Sequence, residues 1–336
     1  MNRITITDIA RKANVSYSTV SRALRKSSVV NEKTRENIIR IAKEMNYIPN
    51  SFAEFLKTKK SNLIGIVIPD LSNPFFSEIL KTIVLELKKK NYSLLIDQSG
   101  YDEKYEGNTI IEFLKKNVEG LIIFPSSENL LFEEIITYNQ IPAVLIDYKP
   151  IKNKFISTIY VNHGKAVKEV INYMICLNHR DIGFIAGPKN YYATSYSLLG
   201  YKEALRENKI QVRDDYVYFS DNTPEDAYLK TIKMLKEHSR ITSIFLFGDS
   251  TAIGVYRAIK EAKMKIPKDI SIISYDDVYY SRLLYPALST ISFPKKDAGI
   301  KAADLILKMI SGEENKKNVE LEVKLILRDS CISNKI

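Results

Sequence analysis

From residue 61 to about residue 330, short apolar runs alternate with amphipathic stretches of roughly 12 to 18 residues, and this alternation restricts the fold more than any other feature of the chain. Runs such as Leu63 to Ile68 and Leu121 to Phe124 are far below the roughly 20 apolar residues that cross a bilayer, so no membrane span is expected. The reading predicts strands at 63–68, 93–97, 120–124, 143–146, 182–186, 243–247 and 270–274, separated by helices such as 74–90 and 164–177. Repeated strand-helix-strand units build parallel sheets covered on both faces. Roughly 276 residues are much for one core and natural for two lobes, with a ligand crevice beyond the carboxyl ends of the strands.

The formal charge of +10 is divided unevenly along the chain. Residues 1 to 60 hold 13 Lys or Arg against 5 Asp or Glu, whereas residues 61 to 336 hold 37 against 35. A compact basic head on a nearly neutral body is the footprint of a polyanion-binding module, nucleic acid first. A solvated Lys-rich tail would carry the same charge, but Ile9, Val20, Leu24, Ile38, Ile41 and Met45 recur at helical spacing, so this segment should fold. The opening residues Met1 to Asp8 lack the apolar stretch of an export signal, and Cys176 and Cys331 stand 155 positions apart with no staple or ligand spacing. Both features predict a reduced, cytoplasmic chain.

Within the head, Thr5 and Asp8 open a helix over about 6–13, Asn14 suits a left-handed turn, and Ser16 caps a second helix ending near Leu24. Asn31 caps a third, 32–45, with Asn46 as its stop. Two short helices joined by a tight turn and braced by a third describe a helix-turn-helix. With Val20 and Leu24 inward, Tyr17, Ser18, Ser21 and Arg22 face outward, and Arg22 has the fork that pairs with a guanine edge. Ser16, Thr19, Asn31 and Thr34 sit near helix starts, where hydroxyls and amides hold phosphates. A three-helix protein-interaction module with a wet polar face is the alternative. Pro49 then interrupts the pattern and Asn50 can cap a further turn. Ser51 to Lys57 is too short a helix to persist alone, a plain linker being the other reading.

The run Asp8 to Leu24 (DIARKANVSYSTVSRAL), with Val30 to Arg35 (VNEKTR) and Asn46 to Asn50 (NYIPN), resembles the headpiece of the lactose-repressor (LacI/GalR) family of bacterial transcription regulators. Gly65 to Phe76 (GIVIPDLSNPFF), Glu119 to Ile123 (EGLII), Asn178 to Pro188 (NHRDIGFIAGP) and Ile272 to Asp277 (IISYDD) resemble the effector domain of the same family. The resemblance implies an N-terminal all-α helix-turn-helix headpiece at 1–46, a hinge helix or linker at 47–60, and a two-lobed, periplasmic-binding-protein-like α/β domain with parallel sheets at 61–336. Its first lobe would comprise about 61–161 plus 292–318, and its second about 162–291 plus 319–336. Tyr17, Ser18 and Arg22 would meet bases, with Thr7 and Ser21 also at the DNA. The hinge residues Asn50, Ala53 and Leu56 would serve the minor groove, Leu56 as a wedge that kinks the duplex.

The same resemblance places Asn73, Phe75, Phe76, Tyr191, Ala193, Ser197, Asn222, Asp276 and Phe293 in the effector cleft. Ser197 stands where the pattern has an arginine, which removes a cationic fork for a carboxylate or sugar hydroxyls; Lys189 is the candidate substitute, and Asn162 stands where Asp is frequent. The expected partners are double-stranded operator DNA, a carbohydrate-like effector and a second copy of the chain, in a homodimer whose heads read half-sites roughly 10 bp apart. A sugar-binding receptor of a transport system, or an enzyme with a regulatory head, are the rivals. There is no Gly-x-Gly-x-x-Gly after a strand and no phosphate loop, and His163, His179 and His238 have no metal-ligand spacing, so no catalytic residue, metal or cofactor is expected. His179 reads as a helix-end cap and Asp249 as a helix cap.

Overall fold

The structure is a computed structural model that describes residues 4–24, 29–48, 60–313 and 317–334. The chain divides into two units between Ser61 and Asn62. In the first, helices α1 (Ile6–Ala13), α2 (Tyr17–Leu24) and α3 (Glu32–Glu44) enclose a small core of Ile9, Val20, Ala23, Ile38 and Ile41. Their ends follow from side-chain chemistry. The Asp8 carboxylate accepts from the amide of Thr5 at 2.9 Å and from its hydroxyl at 2.7 Å. Asn14 holds φ 52° and turns the chain, Ser16 Oγ accepts the Thr19 amide at 3.1 Å, and Asn31 Oδ1 accepts that of Lys33 at 2.9 Å.

The second unit carries two six-stranded sheets. The first contains β1 (Leu63–Ile68), β2 (Ser93–Gln98), β3 (Gly120–Ile123), β4 (Ala143–Ile146), β5 (Ile156–Tyr160) and β11 (Asn318–Glu320), all paired in parallel. The second contains β6 (Ile182–Ala186), β7 (Val217–Phe219), β8 (Ser243–Leu246), β9 (Ser271–Asp276), β10 (Ser289–Ser292) and β12 (Lys324–Ile326). Its pairs are parallel apart from β10 with β12. The lobe limits shift slightly from the expected ones: Ser292 belongs to the second sheet, while Val319 and Glu320 pair with Ile159 and Tyr160 in the first. The sequence reading does not predict the short strands β5, β7, β10, β11 and β12, because segments of three to five residues carry too little periodic pattern.

Helices cover both sheets. On the first lobe α4 (Pro74–Lys88) packs against α11 (Lys295–Ser311), and on the second α7 (His163–Cys176) packs against α8 (Tyr192–Glu207). The latter pair touches backbone to backbone at Gly200, where an added Cβ would lie 2.1 Å from the Gly164 carbonyl oxygen. The chain passes between the lobes three times, after β5, β10 and β11. The carboxyl ends of strands from both sheets therefore line one cleft.

Candidate functional sites: an exposed helix face and an interlobe cavity

In the head, burial of Val20 and Ala23 fixes which face of α2 stays outside. Tyr17 is 56% exposed, and Thr7, Ser16, Ser18, Arg22 and Asn31 are exposed as well. Thr19, Ser21 and Thr34 are half-buried. Ser16 Oγ lies 2.8 Å from both the Ser18 and Thr19 hydroxyls, so the start of α2 presents a cluster of donors beside the exposed guanidinium of Arg22. Asn50, Ala53 and Leu56 lie outside the described residues.

In the body, a cavity opens where the strands end. Asn73 caps α4 by accepting the Phe75 amide at 3.0 Å, which sets Phe75 and Phe76 into the cavity wall. Phe75 meets Phe293, just past β10, edge to face at 5.0 Å. Tyr191 and Ala193 enter from the start of α8, Asn222 follows β7, and Asp276 ends β9. Eight of the nine cleft residues expected from sequence thus share one cavity. Ser197 does not: it is fully buried one turn along α8 behind Ala193, and its hydroxyl has no hydrogen-bond partner. Lys189 does not replace the missing cation, since its ammonium stands 6.0 Å from the Phe219 ring and it is not a lining residue.

Five lining residues were missed: Tyr101, Asp147, His163, Phe247 and Tyr275. Asp147 immediately follows β4, so the strand-end rule that selects Asp276 would have found it too. His163 has no metal-ligand spacing to single it out in sequence, and Phe247 and Tyr275 are indistinguishable there from core residues. Backbone conformation marks the site more sharply than composition: Tyr101, Asp147, Asn222 and Asp276 all have positive φ, between 60° and 109°. Such conformations are uncommon outside glycine and gather where side chains must be aimed. At Asp276 the strained turn is held by Lys295, whose ammonium donates to the carbonyls of Asp276 and Asp277, and by Arg328, which pairs with Asp277 at 2.6 Å.

The electrostatics of the cavity are those of buried acids. Burial pushes the Asp276 carboxyl well above the usual carboxylate range, and the nearby Asp249 charge adds to this. Asp249 itself is not the helix cap that was expected. Its carboxylate is buried, accepting the Val278 amide at 3.0 Å and the hydroxyls of Ser281 and Thr290, so it staples the β9 exit loop to β10. His179 is likewise no cap: one ring nitrogen meets Thr242 Oγ1 at 2.9 Å and the other the Ile332 carbonyl at 3.0 Å, tying the loop after α7 to the C-terminal segment. Between the lobes, His163 Nε2 and Asp147 Oδ1 form a buried hydrogen bond of 2.8 Å, and Asn222 reaches the Tyr101 hydroxyl at 3.4 Å. Among the described residues no group of three or more His, Cys, Asp or Glu could hold a metal ion, and no helix is long and apolar enough to cross a membrane.

Comparisons with known proteins agree with this geometry. Residues 5–50 match the model for bacterial regulatory proteins of the lacI family, and residues 171–331 match the periplasmic binding protein-like domain. The ribose operon repressor of Haemophilus influenzae is 33% identical over 98% of this chain and 99% of its own length. The transcriptional regulator MalR of Clostridium butyricum is 30% identical over 98% and 99%. A crystal structure of the Lac repressor dimer bound to operator and an anti-inducer superposes with a TM-score of 0.84 at 26% identity, covering 98% of this chain and all of that one. A helix-turn-helix head whose polar face is exposed, joined to a two-lobed body and aligned end to end with these regulators, places the chain in the lacI family of bacterial DNA-binding regulatory proteins.

Proposed function

We propose that this chain is a homodimeric repressor whose two heads read a two-fold operator and whose grip is set by a small sugar-like effector held between the lobes of the body. Tyr17, Ser18 and Arg22 contact base edges; Thr7, Ser16, Thr19, Ser21, Asn31 and Thr34 hold the backbone and fix register. Asn50, Ala53 and Leu56 act in the minor groove. In the body, Asn73, Phe75, Phe76, Tyr191, Ala193, Asn222, Asp276 and Phe293 contact the effector. The observation that carries the reading is that polar side chains from both lobes converge on one cavity, so a ligand there has unequal affinity for different lobe arrangements, which is the requirement for control. The named relatives support it: they are transcriptional regulators rather than enzymes, and one structure of the family's fold holds ribose at 25% identity. As a regulator that binds operator DNA, the protein acts in the cytoplasm.

Fluorescence anisotropy on operators selected from random duplexes tests both halves. The expected result is a sequence preference of at least about a thousandfold over bulk DNA, with an affinity that changes when effector is added. Equal affinity for selected and random duplexes would remove the regulator reading. A transport receptor would bind sugar and show no such preference.

A further inference from the structure

Building on the effector reading of the cavity, we propose that the site selects an uncharged polyol and rejects sugar phosphates and sugar acids, with Tyr275 as a specificity-determining donor to it. The first observation is charge. Among the described residues, none of the thirteen that line the cavity is Lys or Arg, whereas two are aspartates. Lys295 is the cation held closest to Asp276 by hydrogen bonds, but its ammonium is spent on the Asp276 and Asp277 carbonyls and faces Glu78 at 3.6 Å. The position where the family pattern has an arginine is Ser197, which lies outside the lining. A phosphate or carboxylate would enter a low-dielectric site with no lining Lys or Arg to pair with, so each added negative charge opposes binding through the cost of its desolvation.

The second observation is an orphaned donor. The Tyr275 side chain is 3% exposed, lines the cavity, and its hydroxyl has no hydrogen-bond partner. Native proteins seldom leave such a group unsatisfied, because it carries the full cost of desolvation. Burial holds the phenol far above its ordinary pKa, so it remains an O–H donor. Its ring lies against His163 at 5.5 Å, and His163 is fixed by Asp147. A ligand hydroxyl can accept from Tyr275 and supply the partner that this phenol lacks.

The test uses the full chain, with calorimetric titration of paired probes: neutral pentoses and hexoses, each against its phosphate ester and, for hexoses, its uronic acid. At least one neutral sugar should bind, with its charged partners at least about a hundredfold weaker. Tyr275→Phe should weaken that sugar about tenfold while leaving the ligand-free melting temperature unchanged or higher, since the deleted hydroxyl has no partner to lose. A phosphate or acid that binds as tightly as its parent, or Tyr275→Phe with undiminished affinity, overturns the inference. A chain that prefers its operator yet binds no sugar of either kind loses the effector reading and this inference together. Loss of operator preference with sugar discrimination intact overturns only the DNA reading.

Discussion

The head and the cleft solve opposite problems. The head turns its chemistry outward: Tyr17 and Arg22 stay in water on top of a core that, among the described residues, is entirely apolar. The cleft turns its chemistry inward, burying Asp147, His163, Asp249 and Asp276 beside aromatic rings. Solvated groups cost folding almost nothing and remain free to meet a partner, whereas buried ones must be held by a scaffold that tolerates them. The two regions should therefore fail differently when disturbed, and their acids should respond to pH with opposite signs.

The largest separation is expected from Gly200→Ala. Its methyl group would meet the Gly164 carbonyl at 2.1 Å, backbone against backbone, so α7 and α8 must part. Overpacking of this kind should cost the body about 3 kcal/mol. Differential scanning calorimetry should show the body transition falling while the amide spectrum of the head is unchanged; a joint collapse would mean that the two units are not energetically separate. Arg22→Ala is the counterpart in the head. It should leave both melting transitions in place and remove about 2 kcal/mol of discrimination at one operator base pair. If binding fell equally for all sequences, Arg22 would be holding phosphate instead.

Proton linkage sharpens the contrast at somewhat smaller cost. Burial pushes the Glu106 carboxyl up to about 8, despite hydrogen bonds from the Ser126 amide and hydroxyl. The unfolded chain releases that proton near pH 4.5 and the folded body keeps it, so body stability falls as pH rises from about 4.5 to 8 and then levels. Asp249, raised to about 6 by burial, adds a fall in the lower part of the same window. Asp8 in the head has the other sign: hydrogen bonds from Thr5 hold it below the ordinary carboxylate value, so its contribution is present above about pH 4 and lost on acidification. Glu106→Gln should flatten the body's pH dependence, stabilising the body more at pH 8 than at pH 5. Urea titrations at the two pH values measure it, and an unchanged slope would show that Glu106 ionises freely in the folded state.

The same division explains what could be read from the sequence. The head was legible nearly residue by residue, because caps, turn and apolar spacing are local: Asn14, Ser16 and Asn31 act within three residues of themselves. The long strands and the two-lobed plan were legible because buried parallel strands are continuous apolar runs. Five of the thirteen cleft residues were not. Tyr275 and Phe247 become lining residues only because β8 and β9 end at the same height, and the Asp147–His163 bond joins residues whose meeting depends on how the lobes close. Ser197 shows the converse error, since a position that matters through a long side chain falls out of the cavity when the side chain is short. Asp249 and His179 misled because a polar residue after a strand or helix suggests a cap, and burial later gives it distant partners.

The smallest effect separates two roles at one residue. Ser16 Oγ accepts the Thr19 amide and so completes α2, and it is also proposed as a phosphate contact. Ser16→Ala should lower head stability by about 1 kcal/mol, and Ser16→Gly by only a few tenths. Ser16→Asp keeps an acceptor for the Thr19 amide and a favourable charge at the helix start, so it should restore stability. It also places a negative charge where a phosphate is to sit, so operator affinity should fall for every sequence alike, with the preference between operators preserved. Restored melting together with wild-type DNA affinity would confine Ser16 to capping, and the phosphate-holding residues of α2 would then begin at Thr19.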